Sequence, residues 1–253
     1  MICIQGLTKR FGNLVAVNDL HLDVGAGELF GFLGPNGAGK TTTVRMLVGL
    51  QRPTAGTAQV AGYDILATPL QVKASSAYMS EHPFLYEKLT GYQYLRFIQG
   101  LYGINSAAAS RQLDRLLQLF ELQGVINDLI ESYSHGMRQK LVLSCALLLE
   151  SKVLFLDEPL QGLDPRSARA VKDILKWLCA RGTTVFMCTH VLEIAEHICD
   201  RVAIINGGQL VAVGSLDDIR QQTGAGESSL EDLFLELTGG PIYSDLARYL
   251  QED

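Results

Sequence analysis

Four short strings in this chain carry residue types suited to handling phosphate. GPNGAGKTT, from Gly34 to Thr42, follows the apolar run ELFGFL and leads into a helix-compatible stretch. It therefore matches GxxxxGK[ST] in the strand-then-helix context that the motif requires. Its glycines let a loop curl until backbone N–H groups point inward at an anion, and the helix that follows adds its positive end. Asn36, Gly37, Ala38, Gly39 and Thr42 are the loop candidates for nucleotide contact, Lys40 for the β and γ phosphates, and the Thr41 hydroxyl for Mg²⁺. A metal needs a second anchor, and VLFLDEP supplies it: four apolar residues deliver Asp157, and Glu158 follows as an acid placed to orient or deprotonate water. TTVFMCTH repeats this logic, ending a buried strand at His190, a donor for the γ phosphate. A fourth string, YSHGMRQKL, opens on Ser134, a good helix N-cap, and a helix starting there presents free N–H groups and a favourable dipole to an anion. Gly136 lets a backbone come close at that end.

These residues need elements to hold them. Apolar runs ending in turn residues recur as DLHLDVG, ELFGFLG, TAQVAGY, SSAYMS, KVLFLDEP, TTVFMCTH, RVAIING and QLVAVGS, and they read as strands. DLHLDVG and TAQVAGY alternate and read as half-exposed, whereas ELFGFLG, KVLFLDEP and TTVFMCTH are continuous and suit a parallel sheet covered on both faces. Helical spacing appears at Tyr94, Phe97, Ile98 and Leu101, at Leu113, Leu116, Leu117 and Phe120, and at Val171, Ile174, Leu175 and Leu178. Helical patterns run unbroken by any strand from about 84 to 150, which predicts a helical subdomain inserted into the α/β fold. Near the end, Ser228 and Glu231 are expected to form a capping box before Leu230, Leu233, Phe234 and Leu237.

Composition narrows the class. A chain of 253 residues that is 47% hydrophobic has ample apolar surface for one large α/β domain. The five cysteines are scattered without a CxxC pair, which predicts reduced, largely buried thiols and a cytosolic setting. The start MICIQGLTKR has no charged leader before an apolar core, and LVLSCALLL is too short to span a bilayer, so no membrane crossing is expected. A net charge of -6 argues against a mainly electrostatic nucleic-acid partner, and none is expected. His21, His82 and His197 carry no motif and read as structural.

Taken in order, the aromatic Phe11 in LTKRFGNLVAV, the loop Gly34 to Thr42, Asp157-Glu158, the turn QGLDP with Asp164, and His190 resemble the ATP-binding cassette ATPases over about 220 residues. The resemblance implies a P-loop NTPase fold of ABC type: a mostly parallel core sheet, an antiparallel β part and an inserted helical subdomain. It also implies ATP and Mg²⁺ as cofactors, and a division into a nucleotide-binding domain at 1–225 and a C-terminal helical extension at 226–253. Phe11 would stack on adenine, with a packed aromatic as the other reading. Glu158 would be the general base, His190 the γ-phosphate sensor, Thr41 and Asp157 the metal ligands, and Asp164 part of a dimer turn. YSHGM occupies the slot of the family's LSGGQ signature and departs at three of five positions, while Ser134 and Gly136, the positions used against a partner's γ phosphate, survive. His135 places a Cβ-bearing side chain where the signature has a glycine, and Met137 stands where it has a glutamine.

The resemblance further implies two partners. One is a second cassette, identical or homologous, since one phosphate loop and one signature make half of a head-to-tail pair. The other is a transmembrane permease subunit. Glu81 stands where the family commonly has a Gln that touches Mg²⁺ or its water and relays to the permease, and a carboxylate can ligate the metal too. Phe84, Leu85 and Tyr86, at the start of the 84–133 region, would receive the permease or else belong to the core. Glu81, YSHGMRQKL and SLEDLFLELTG together resemble the cassette subunits of bacterial exporters, peripheral on the cytoplasmic face of the membrane. A soluble cassette ATPase acting on a ribosome or nucleic-acid machine is the alternative. An importer subunit would keep a closer LSGGQ.

Overall fold

The computed structural model describes residues 1–104, 107–223 and 228–239. The expected boundary at 225/226, and residues 226–227 and 240–253 of the expected C-terminal extension, lie outside them. The chain runs β1 (Ile2–Phe11), β2 (Leu14–Val24), β3 (Leu29–Leu33), α1 (Lys40–Leu47), β4 (Ala55–Val60), β5 (Tyr63–Asp64), α2 (Pro69–Ser75), β6 (Ser76–Met79), α3 (Gly91–Leu101) and α4 (Ala107–Leu119). It continues through α5 (His135–Leu148), β7 (Val153–Asp157), α6 (Pro165–Ala180), β8 (Thr184–Thr189), α7 (Leu192–Ile198), β9 (Arg201–Asn206), β10 (Gln209–Gly214), α8 (Leu216–Thr223) and α9 (Leu230–Thr238).

Two sheets form. Six strands in the order β10-β9-β3-β8-β7-β6 are parallel except for the edge pair β9–β10. Every residue of β3, β7 and β8 is buried, as their continuous apolar sequences predict for strands covered on both faces. One face lies under α3 to α6, in a core that includes Leu95, Phe120, Leu141 and Leu175. The other lies under the four-stranded antiparallel sheet β2-β1-β4-β5, with α1 and α2, around the rings of Phe30, Phe32, Phe155 and Phe186. Phe186 is the hub, with centroids 5.6, 5.2 and 5.6 Å from those of Phe30, Phe32 and Phe155.

Two elements differ from expectation. The first is β1, a ten-residue strand through a segment in which no strand was expected. Ile4 pairs with Leu22 and Leu7 with Leu20, so β1 carries one extra residue between Ile4 and Leu7. That bulge reverses the inward phase midway and erases the period-2 signal. The second is the cap of α9, which is Ser229 with Asp232 rather than Ser228 with Glu231. Burial of Leu230 and Leu233 beside Ile219 fixes the rotation of this helix, so the start falls one residue later than expected. Among the described residues no strand intervenes between α3 and α5; an isolated bridge pairs Thr90, at the start of α3, with Leu129.

All five cysteines are free, with Cys145 and Cys188 buried and the other three half-buried. Among the described residues, no helix is long and apolar enough to cross a membrane.

Candidate nucleotide site

Parallel strands aim their C-terminal ends at one edge, and ligands gather in the crevice beyond it. Here β3, β8, β7 and β6 stand side by side, with Leu33 level with Thr189 and Asp157 level with Cys188. The residues that follow these ends therefore meet in space, although the first and the last of them lie more than a hundred positions apart in the sequence. Together they line an open cleft of about 640 Å³.

The phosphate loop forms its floor. Lys40 begins α1 and turns its ammonium onto the loop's own carbonyls, 2.6 Å from Gly34 O and 3.1 Å from Pro35 O. Buried at the cleft, it is a cation whose carbonyl partners an anion can replace. Gly39 has φ 108°, and a Cβ there would lie 2.4 Å from Ala16 O, so only glycine fits. Asn36, Gly37, Gly39, Lys40, Thr41 and Thr42 all line the cleft. Ala38 does not: it is 3% exposed and packs into the core under the antiparallel sheet, while its N–H closes the loop onto Pro35 O at 3.1 Å.

Beside the loop, the Thr41 hydroxyl donates to Asp157 Oδ2 at 2.8 Å. Burial raises the pKa of Asp157 above the ordinary carboxylate value, the Thr41 hydrogen bond and Lys40 oppose the rise, and the negative fields of Glu81 and Glu158 add to it. A hydroxyl and a buried carboxylate crowded by two more acids make a hard-oxygen, cation-seeking set that fits Mg²⁺. Among the described residues, no group of three His, Cys, Asp or Glu could hold a metal alone, which suits an ion that arrives with phosphate oxygens. One expected result follows. With its folded pKa above the unfolded one, Asp157 favours the fold while protonated and loses that contribution as pH rises past 3.8 and through the folded-state value. Asp157→Asn, neutral throughout, should therefore raise the melting temperature of the ligand-free protein at pH 7 by about 2–4 °C per kcal/mol recovered. It should also abolish the Mg²⁺-dependent part of nucleotide binding. Scanning calorimetry and fluorescent-nucleotide titration measure the two effects.

Glu158, one residue on, sits in a left-handed backbone conformation at φ 52°. A bulky side chain there stores strain that the surroundings must hold. Its buried carboxylate accepts from the His190 N–H at 2.8 Å and from the Thr189 hydroxyl at 3.0 Å. His190 Nδ1 lies 2.7 Å from the same Oε1. The half-exposed His190 ring is thus oriented by Glu158 through one nitrogen, leaving the other for the cleft. Phe11 lies at the mouth, 47% exposed, with Lys9 Nζ 5.1 Å from its ring centroid, so it is not a packed core aromatic. Glu81 lines the wall. Gln161 lines it too and was missed, although it stands in QGLDP, three residues past Glu158; its place directly after the strand end was the available signal.

Ser134, Gly136 and Asp164 are not in this cleft; Ser134 and Gly136 stand at the start of α5 and Asp164 at the start of α6, which Lys140 ties to α5. Ser134 caps α5, its hydroxyl accepting from Met137 N at 3.3 Å. Gly136 presses on the turn after Glu158, where an added Cβ would stand 2.7 Å from Gly162 O. Asp164 caps α6 through Ser167 N and Oγ at 2.9 and 2.6 Å and meets Lys140 Nζ at 2.9 Å. The Ser167 hydrogen bonds, then Lys140, hold this carboxyl well below the usual range. Both cations of YSHGMRQKL are thus engaged within the chain, Lys140 by Asp164 and Arg138 by Glu87 at 2.7 Å.

The family model described as ABC transporter matches residues 17–161. The chain belongs to the ABC transporter family. It is an ATP-binding cassette and an ATPase, with the P-loop fold, mixed parallel and antiparallel sheets and added helices of that family. It is 37% identical over 96% of its length, and 80% of the relative's, to "Daunorubicin resistance ATP-binding protein DrrA3" of Streptomyces coeruleorubidus. A solved "ATP binding subunit of ABC transporter" superposes with TM-score 0.89 at 35% identity, covering 94% of this cassette and 99% of that chain. The dimeric post-hydrolysis cassette MJ0796, bound to ADP and Pi, has the same fold, with TM-score 0.78 at 21% identity over 85% of this cassette and 99% of that chain.

Proposed function

We propose that this cassette is the peripheral ATPase subunit of an exporter, working in pairs on the cytoplasmic face of the membrane and driving a separate permease. One observation carries the reading: Lys40, the Thr41–Asp157 pair, Glu158 and His190 meet in one cleft beyond the C-terminal ends of β3, β7 and β8. Phe11 stacks on adenine, the loop from Asn36 to Thr42 wraps the phosphates, and Lys40 leaves its carbonyls for the β and γ oxygens. Thr41 and Asp157, with Glu81 beside them, would hold Mg²⁺, which when bound would supply positive charge to offset that of the phosphates. Glu158 takes a proton from the attacking water, and His190 steadies the γ phosphate. Ser134 and Gly136 face the nucleotide of the second cassette, with Asp164 in the turn alongside. Their absence from their own chain's cleft supports this division, as does the dimeric arrangement of MJ0796.

The drug-resistance name of the Streptomyces relative supports export. So does the wall just past Glu81. Leu85 is core, but Phe84 and Tyr86 are 85% and 50% exposed, and Tyr86 meets Phe84 and Phe97 edge-on at 6.0 and 5.6 Å. These rings open the helical subdomain proposed for 84–150 and offer the permease an apolar seat. Reconstitution of the cassette with its membrane subunit in liposomes tests the reading. ATP-dependent efflux supports it; a cassette that neither copurifies with a membrane protein nor is stimulated by one, and instead cosediments with ribosomes, favours the soluble alternative. Glu81→Ala is expected to lower transport several-fold more than isolated ATPase activity. Equal losses would remove Glu81 from the relay.

A further inference from the structure

Gln139 is 1% exposed, one turn past Gly136 on α5. Its Nε2 donates to Glu158 O at 3.1 Å, while its Oε1 is buried with no hydrogen-bond partner among the described residues. A buried amide with an orphaned oxygen is a poor choice for packing alone, because an apolar side chain of the same size would avoid the desolvation. The bond it makes falls at a special place. Glu158 is the left-handed residue at the strand end, and its carbonyl also accepts from Gln161 N at 3.2 Å, closing the turn whose Gln161 side chain lines the cleft. The orientation of that one peptide group therefore governs both the Glu158 carboxylate and Gln161. The same helix begins at Ser134, touches the turn again through Gly136 and Gly162, and is tied to it by Lys140 and Asp164.

We infer that Gln139 is a positioning residue that fastens the signature-bearing helix to the backbone of Glu158 in the same chain, so that a nucleotide docked on that helix by the second copy sets this chain's own base. The inference rests on Glu158 being the base and on the pairing of sites. Physically, α5 is a rigid rod of 14 residues, and a force at its first turn reaches Gln139 with little loss.

The test uses Gln139→Leu and Gln139→Met, which keep the volume and remove the donor, with Glu158→Gln as reference. Turnover should fall about 10- to 100-fold, as for a small displacement of a reacting group. KM for ATP should stay within about twofold, reporting loss at the transition state alone. The melting temperature should hold or rise, since the orphaned oxygen is gone. Combined with Glu158→Gln, either variant should still form the ATP-bound dimer on gel filtration, which places the defect after closure. Near-parental turnover in both variants, or failure of both to fold, would overturn the inference by making Gln139 dispensable or merely structural. If instead Glu158→Gln itself turned over normally, the assignment of the base would fall, a separate outcome.

Discussion

Glu158→Gln should bind ATP with parental affinity, lose about 10²- to 10⁴-fold in turnover, and accumulate as a nucleotide-bound dimer. The reason lies in the geometry. The amide keeps an oxygen for the His190 N–H or the Thr189 hydroxyl, so the strand end keeps its shape. What disappears is a group able to accept a proton from water. Binding depends on the loop, Lys40 and the Thr41–Asp157 pair, none of which is touched. If closure follows binding and reopening follows hydrolysis, a variant that cannot hydrolyse stays closed. Single-turnover hydrolysis and gel filtration with Mg-ATP measure the two halves of this expectation. Turnover within a few-fold of parental would show that water is activated by another group.

Ser134→Arg should silence the cassette through its partner's site. A composite site predicts that specific activity rises with protein concentration, and that the substitution costs about 10²- to 10³-fold, the scale of removing a donor aimed at developing charge. The variant should fold. Losing this N-cap costs about 1 kcal/mol, a fraction of the stability of an ordinary domain. Ser134→Ala separates the effects, since it loses the cap and the hydroxyl without adding bulk, and it should fall between the two. A monomer whose specific activity is independent of concentration, with Ser134→Arg active, would leave the start of α5 without a phosphate to face.

Much of the cleft was legible because its parts sit at the ends of strands buried on both faces. LFGFL, VLFL and VFMC are uninterrupted apolar runs, so the polar residues that follow each must emerge at the sheet edge, and parallel pairing puts those emergences together. The helix faces announced by Leu113 and Val171 are inward in the fold for the same elementary reason of spacing, whereas on α3 Tyr94 is buried but Phe97 and Leu101 stand exposed and Leu95 packs inward instead. What escaped reading depended on contacts between distant segments. The bulge in β1 is set by its pairing with β2. The cap of α9 is set by where two leucines find a pocket. Gln161 becomes a wall residue only because the turn after Glu158 folds back onto the cleft, and Asp164, which caps its own helix through Ser167, meets Lys140 only once α5 and α6 are packed.

The bond between Thr41 and Asp157 changes how loading must be pictured. The hydroxyl spends its one hydrogen on the acid and keeps its oxygen lone pairs free, so on the proposed reading the pair is set in advance for a cation. A nucleotide arriving bare would then bring its negative charge to an uncompensated acid. One arriving with its ion would be compensated in the same act, and the site would favour the second before any chemistry begins.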